Sequence, residues 1–218
     1  MDARQAMIDG QLRPNHVNND TVIKAFECVE RRDFLPANLR GVAYVDCELS
    51  LGINQRHAME PRVLGRLLEA AAVKTTDTAL VLCCGLGYSV ALLNQIVASA
   101  VGVEPLAPLR QKAQERLDPE TVVLPQCADA NAHGPFSLVL VEGAVQDLEK
   151  VKHDALQAGL TEKARLLLVS RPRGHIVGIA MRLDWQEGEW HAQKLFDAHT
   201  SLLTEYQRRE GFTFASHN

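Results

Sequence analysis

The sequence predicts an α/β fold: a mostly parallel central sheet carrying helices, antiparallel strands after it and a helical extension before it. Three observations predict this. Between residues 79 and 170, short apolar runs alternate with stretches of helical period. Residues 78–104 read as one strand–turn–helix–strand unit, T-A-L-V-L-C-C-G-L-G-Y-S-V-A-L-L-N-Q-I-V-A-S-A-V-G-V-E, which closes on an acid. After Arg171-Pro172-Arg173-Gly174 the βα alternation stops and hairpin-like segments follow.

Taken in order, residues 1–12 carry a helical pattern that Arg13-Pro14-Asn15 ends. Asn18, Asn19 and Asp20 offer N-caps for a second helix with Val22, Ile23, Phe26 and Val29 inward. Pro36 pushes Leu35 out of the helical region. Residues 41–55 hold no helical period and read as a loop with short extended pieces. Pro61 suits the first turn of a third helix, 61–72, whose inward face is Val63, Leu64, Leu67 and Leu68. Then come strand 79–83, helix 88–97, strand 100–104, helix 106–117, strand 121–124, strand 136–141, helix 147–158 and strand 165–170. Segments 175–183, 189–196 and 211–215 read as antiparallel strands. No repeat or linker interrupts the chain, so a single domain is expected over 1–218: an N-terminal part (1–75), an α/β core (76–174) and an antiparallel part (175–218).

The 78–104 unit suits an adenosine-containing cofactor. Gly85 and Gly87 lack a Cβ and let the backbone turn sharply beside a ligand. Glu104, about 20 residues on, is placed to accept hydrogen bonds from ribose hydroxyls. A dinucleotide fold wants a third small residue where helix and strand pack, and Val90 stands there, so a nicotinamide oxidoreductase fits less well. An ordinary strand–turn–helix without ligand has the same local pattern. In an open parallel sheet, ligands sit beyond the carboxyl ends of the strands. Those ends are Cys83–Gly87, Glu104, Asp129-Ala130 and Glu142-Gly143, and three of the four carry an acid that can accept from a ribose diol or an exocyclic amine.

Composition excludes other classes. With 218 residues, 46% hydrophobic and 23% charged, the chain has the make-up of a globular protein with one core. A net charge of -4 argues against a nucleic-acid partner. No apolar run reaches the length of a membrane span and the first residues show no signal-peptide core, so a cytoplasmic protein without a membrane partner is expected. Five cysteines without a C-x-x-C pair read as buried reduced thiols, and eight scattered histidines give no metal motif.

Several segments then resemble one family. Met7-Ile8-Asp9-Gly10-Gln11-Leu12-Arg13-Pro14-Asn15, Ala25-Phe26, Arg32-Asp33-Phe34-Leu35-Pro36 and Ala43-Tyr44 resemble the N-terminal part of the protein-L-isoaspartate O-methyltransferases. Gly85-Leu86-Gly87-Tyr88, Ala91-Leu92-Leu93, Val101 to Glu104, Cys127-Ala128-Asp129-Ala130 and Gly134-Pro135-Phe136 resemble their cofactor motifs, in register from about residue 7 to 170. The resemblance implies a Rossmann-like methyltransferase fold, S-adenosylmethionine as cofactor, and methyl transfer to the free carboxylate of an isoaspartyl residue in protein repair. It implies that Cys83, Cys84, Gly85, Gly87 and Tyr88 line the methionine side, that Glu104 holds the ribose, and that Asp129 and Ala130 lie beside the adenine. The substrate loop would be His57, Met59, Glu60 and Pro61. The acceptor would be an isoaspartyl protein or peptide or another small molecule, and the protein a monomer or homodimer.

Departures from the family pattern define the alternatives. Met59 stands where the family carries a serine two residues ahead of the proline, and Glu60 puts a negative charge near the path of a carboxylate. Val81 replaces an acid and Cys83 a glycine in the first cofactor motif, and Glu162-Lys163 takes the place of a late glycine pair. These point to a relative with a changed acceptor, or to a binding or regulatory protein with weak catalysis.

Overall fold

The structure, a computed structural model, describes residues 2–208. The first helical pattern forms as α1 (Ala3–Met7), continued by a wider turn (Ile8–Leu12) and a tight 3-10 turn (Arg13–Asn15). In α2 (Asp20–Cys28) the Asn19 side chain accepts from the Thr21 and Val22 amides, the cap that the sequence offers. A short hairpin, β1 (Leu49–Ser50) and β2 (His57–Ala58), lies inside the segment read as loop. Helix α3 (Pro61–Ala71) starts on proline and buries Val63, Leu64, Leu67 and Leu68.

The main sheet follows: β3 (Thr78–Leu82), β4 (Ser99–Val103), β5 (Val123–Leu124), β6 (Phe136–Val145), β7 (Leu160–Ser170), β8 (Gly178–Gln186) and β9 (Glu189–Ala198). Its order is β5-β4-β3-β6-β7-β8-β9. The first five are parallel, and β8 and β9 close the edge antiparallel, as the change of pattern after Gly174 predicts. Helices α4 (Tyr88–Asn94), α5 (Ala107–Gln114) and α6 (Leu148–Gln157) are the crossovers. The expected strand 211–215 lies outside the described residues.

Both faces of the sheet are covered, which is why its inner strands read as unbroken apolar runs. In β3, Ala79 and Val81 pack with Phe26, Leu64 and Leu92 on one face. Leu80 and Leu82 pack with Val151, Ala155 and Tyr206 on the other. Val90, the bulky residue at the helix–strand contact, fits because the space is left on the strand side. A Cβ on Gly102 would stand 3.3 Å from Val90 Cγ2 and 2.9 Å from Cys84 Sγ.

Several boundaries differ from expectation: the helices expected at 88–97 and 106–117 end at Asn94 and Gln114, and the strands expected at 121–124 and 175–183 start at Val123 and Gly178. Two further differences bear on residues singled out in the sequence. β6 runs to Val145, so Glu142-Gly143 lies inside the strand rather than at its tip. The register against β7 slips between Leu140 and Ala144, the stretch that holds Glu142. β7 starts at Leu160 and takes in Glu162-Lys163, where Lys163 absorbs the left-handed conformation (φ 66) that a glycine would ease.

Candidate active site

The strand order reverses between β3 and β6, and the turn after β3 opens there. Cys83 (φ 58), Gly85 (φ 58) and Gly87 (φ 93) are all left-handed. Cys83 therefore holds, with a Cβ, a conformation natural to glycine, at a cost of about 1–3 kcal/mol. The turn is fixed by Cys84 N–H donating to Val103 O (3.1 Å) and Gly87 N–H to Cys84 O (2.8 Å). Burial pushes both thiols well up, so Cys83 and Cys84 stay protonated.

Glu104 follows β4 and is fully buried. Its Oε2 accepts from Gly85 N–H (2.9 Å) and its Oε1 from Leu106 N–H (3.0 Å), so the acid and the glycine turn share one site. Both oxygens are also taken by Arg56. Nη1 donates to Oε2 and Nη2 to Oε1, each at 3.0 Å. Nη1 reaches Cys83 O as well (3.1 Å), and Nη2 reaches Glu205 Oε1 (2.9 Å). Burial raises the Glu104 carboxyl, against the pull of Arg56 and the two amides. Burial also works against the Arg56 charge, but Glu104 and Glu205 outweigh it and hold the guanidinium protonated.

Beside this cluster is an open cavity of about 390 Å³, lined by Cys83, Pro105, Gln126, Cys127, Ala128 and Tyr206 among others. It lies over the ends of β3, β4 and β5. Asp129 is exposed and accepts from Gln126 Nε2 (3.3 Å), whereas Ala130 is buried. Other surfaces of the turn are covered by the chain itself. A Cβ on Gly85 would meet Leu51 Cδ1 at 2.9 Å, one on Gly87 would meet Leu117 at 2.9 Å, and one on Gly143 would meet Leu203 at 2.6 Å. Both Glu104 oxygens are thus occupied by the chain's own donors, with Arg56 holding the carboxylate beside the cavity.

The remaining residues singled out in the sequence sit elsewhere. Tyr88 is buried among Phe26 (6.3 Å between ring centroids), Phe34 (5.7 Å) and the Arg31 guanidinium (5.0 Å to the ring), in the layer beneath the N-terminal helices. Met59 is buried in the same core at 1% exposure, and its carbonyl accepts from Arg31 Nη2 (2.8 Å). Glu60 accepts from Arg62 Nη2 (3.1 Å), which offsets the charge the sequence places beside the substrate path. His57 Nδ1 lies 2.8 Å from Gln55 O, and Pro61 is buried at the start of α3. Glu142 is buried and accepts from Ser89 Oγ, away from the open cavity. Arg56, Arg31 and Glu205 carry the electrostatics of the region, yet no periodicity or motif marks them in the sequence.

Burial pushes the Glu142 carboxyl up to about 7, with Ser89 and Arg31 opposing and Glu104 adding to the shift. A carboxyl raised on folding favours the folded state fully below its unfolded value, and that contribution is lost as pH rises to the folded value. The window here is roughly pH 4.5 to 7, and a shift of this size is worth on the order of 3 kcal/mol. Glu142→Gln should therefore flatten the fall in stability across that window. Urea unfolding at pH 5 and pH 8 checks it: equal pH dependence in the two proteins would show that Glu142 does not bind the proton.

Comparison with known proteins bears on the family and the fold. The family model described as Protein-L-isoaspartate(D-aspartate) O-methyltransferase matches residues 2–161. The protein-L-isoaspartate O-methyltransferase of Methylorubrum extorquens is 30% identical over 179 residues, 79% of this chain and 76% of that protein. That of Methanoculleus marisnigri is 28% identical over 162 residues, 72% of this chain and 73% of its own. A solved protein-L-isoaspartate O-methyltransferase structure superposes with a TM-score of 0.76 at 18% identity, covering 92% of this chain, which in turn spans 65% of that longer chain. The fold of this chain is thus the Rossmann-like methyltransferase fold, with a mostly parallel sheet and an antiparallel end. With a family match over most of its length, the chain belongs to the protein-L-isoaspartate(D-aspartate) O-methyltransferase family.

Proposed function

We infer that this protein is an S-adenosylmethionine-dependent O-methyltransferase acting on isoaspartyl carboxylates, the activity by which its relatives are named. The observation that carries the reading is the shared site of turn and acid, with Gly85 N–H 2.9 Å from Glu104 Oε2 beside an open cavity at the strand ends. Glu104 would take the ribose diol, and Pro105, Cys127 and Ala128 would flank the purine. When bound, S-adenosylmethionine supplies an electrophilic methyl group. The acceptor carboxylate is already ionised at neutral pH and needs no general base, so the chain's task is to orient it and exclude water. Arg62 beside Glu60 keeps the entry from repelling that carboxylate. No helix among the described residues is long and apolar enough to cross a membrane. All five cysteines are unpaired, which supports a cytoplasmic setting.

The test is transfer of a labelled methyl group from S-adenosylmethionine to an isoaspartyl peptide, with the aspartyl peptide as control. Base-labile label on the isoaspartyl peptide alone is expected, and no transfer to either would overturn the activity. A second reading, a family member that binds more than it catalyses, is favoured by one observation: Met59, in place of the family's serine, is turned into the core. Cofactor binding without transfer to any carboxylate would select it.

A further inference from the structure

Two segments cover Glu104. The first is the β1–β2 hairpin, whose tip is closed by Leu51 N–H donating to Arg56 O and Arg56 N–H to Ile53 O, both at 2.8 Å. The second is residues 200–206, held to β6 by Ala144 N–H on Ser201 O and Leu203 N–H on Ala144 O, each 2.9 Å. Glu48 ties the two together by accepting from Thr200 Oγ1 (2.5 Å), Ser201 N–H (2.7 Å) and Ser201 Oγ (2.7 Å). Arg56 ties both to the floor through Glu205 and Glu104.

We propose that Arg56 is an internal competitor for the carboxylate a nucleoside diol would take, so that the chain admits its cofactor only by displacing its own guanidinium. The inference rests on the reading of Glu104 as the ribose-binding acid. The planar fork of Arg56 meets both Glu104 oxygens, the two atoms a vicinal diol would use. A charge-assisted pair is stronger than the neutral hydroxyl bonds that must replace it, so displacement lowers apparent affinity. The lock is nevertheless built to release. Arg56 Nε is buried with no hydrogen-bond partner among the described residues, a standing cost of the closed position. Gly52, Asn54 and Gln55 at the hairpin tip are all left-handed, and for Gln55 (φ 56) that is a strained conformation. Glu205 already faces Nη2, so a guanidinium leaving Glu104 keeps a partner on the covering segment. The cavity over Cys83 and Cys127 is open while Arg56 sits on Glu104, so a purine has room there; Leu51 and Leu203, which crowd Gly85 and Gly143, belong to the same two covering segments.

Titration calorimetry of the full chain with S-adenosylhomocysteine tests this, comparing the parent with Arg56→Gln, and with Arg56→Lys as a gentler change should the first fail to fold. The expected result is binding at least tenfold tighter in Arg56→Gln, with Arg56→Lys between it and the parent, because losing the fork raises the energy of the unliganded protein alone. Equal affinities would overturn the competition while leaving the cofactor reading intact. Weaker binding in both variants would also overturn it, making Arg56 a residue that holds the ligand. Absence of binding in every protein would overturn both the competition and the cofactor assignment.

Discussion

Asp77→Ala is expected to lower stability by about 3–5 kcal/mol, the cost of stranding one half of a buried ion pair. Asp77 is 4% exposed and lies just before β3. It accepts from Lys74 N–H (2.7 Å), from Ser137 Oγ (2.8 Å) and, in a close pair, from Arg165 Nη2. The other end of Arg165 donates to Ala71 O (2.6 Å) and Ala72 O (2.8 Å), satisfying carbonyls that the end of α3 leaves open. One carboxylate therefore fixes the N-terminal layer to β6 and β7. Burial works to raise Asp77, but Arg165, the Lys74 amide and Ser137 outweigh it and hold the carboxyl below its ordinary value. A depressed carboxyl contributes stability that is present above its unfolded value and lost as pH falls through the folded one, so the parent should lose this contribution only below about pH 4. Urea unfolding at pH 7 reads the main effect as a lower midpoint at unchanged slope. A loss under 1 kcal/mol would mean that Arg165 finds water or another acceptor once Asp77 is gone.

Arg31→Ala should cost about as much, roughly 3–5 kcal/mol, through two buried carbonyls left without donors and the void of a large side chain. Arg31 is 1% exposed, donates through Nε to Ala43 O (2.9 Å) and through Nη2 to Met59 O (2.8 Å), and packs on Tyr88. Burial lowers its pKa, and Tyr88 and Glu142 are among the groups that pull it back. Arg31→Met separates the two contributions. The thioether fills most of the space but donates nothing, so it should recover less than half of the loss. Near-complete recovery would show that Arg31 acts by packing and that its hydrogen bonds contribute little. Removing the cation should also raise the Glu142 carboxyl further, which the pH dependence of unfolding in Arg31→Met reports.

The layout of the molecule was legible in the chain because local physics sets it. Alternation of apolar runs and helical periods marked the five parallel strands, since strands buried on both faces have to be apolar throughout. Pro61 and Asn19 marked helix starts by caps that depend on a residue or two. Boundaries fared less well where pairing with a distant strand decided them. β6 and β7 outran their apolar stretches because each is flanked by partners that complete the backbone bonds of polar residues.

The site divides the same way. The sequence by itself determined the family, the Gly85–Gly87 turn and the acid Glu104 after β4, because these rest on short spacings within one strand–turn–helix–strand unit. Only the tertiary structure decided what touches Glu104. Arg56 lies 48 residues before it and Glu205 far beyond it, in segments with no periodicity to betray their fold. It likewise decided that Met59, Tyr88 and Glu142 belong to the layer under the N-terminal helices and not to the open cavity. A buried charge is placed by whichever distant partner the packing brings within 3 Å, and no local pattern in a chain encodes that distance.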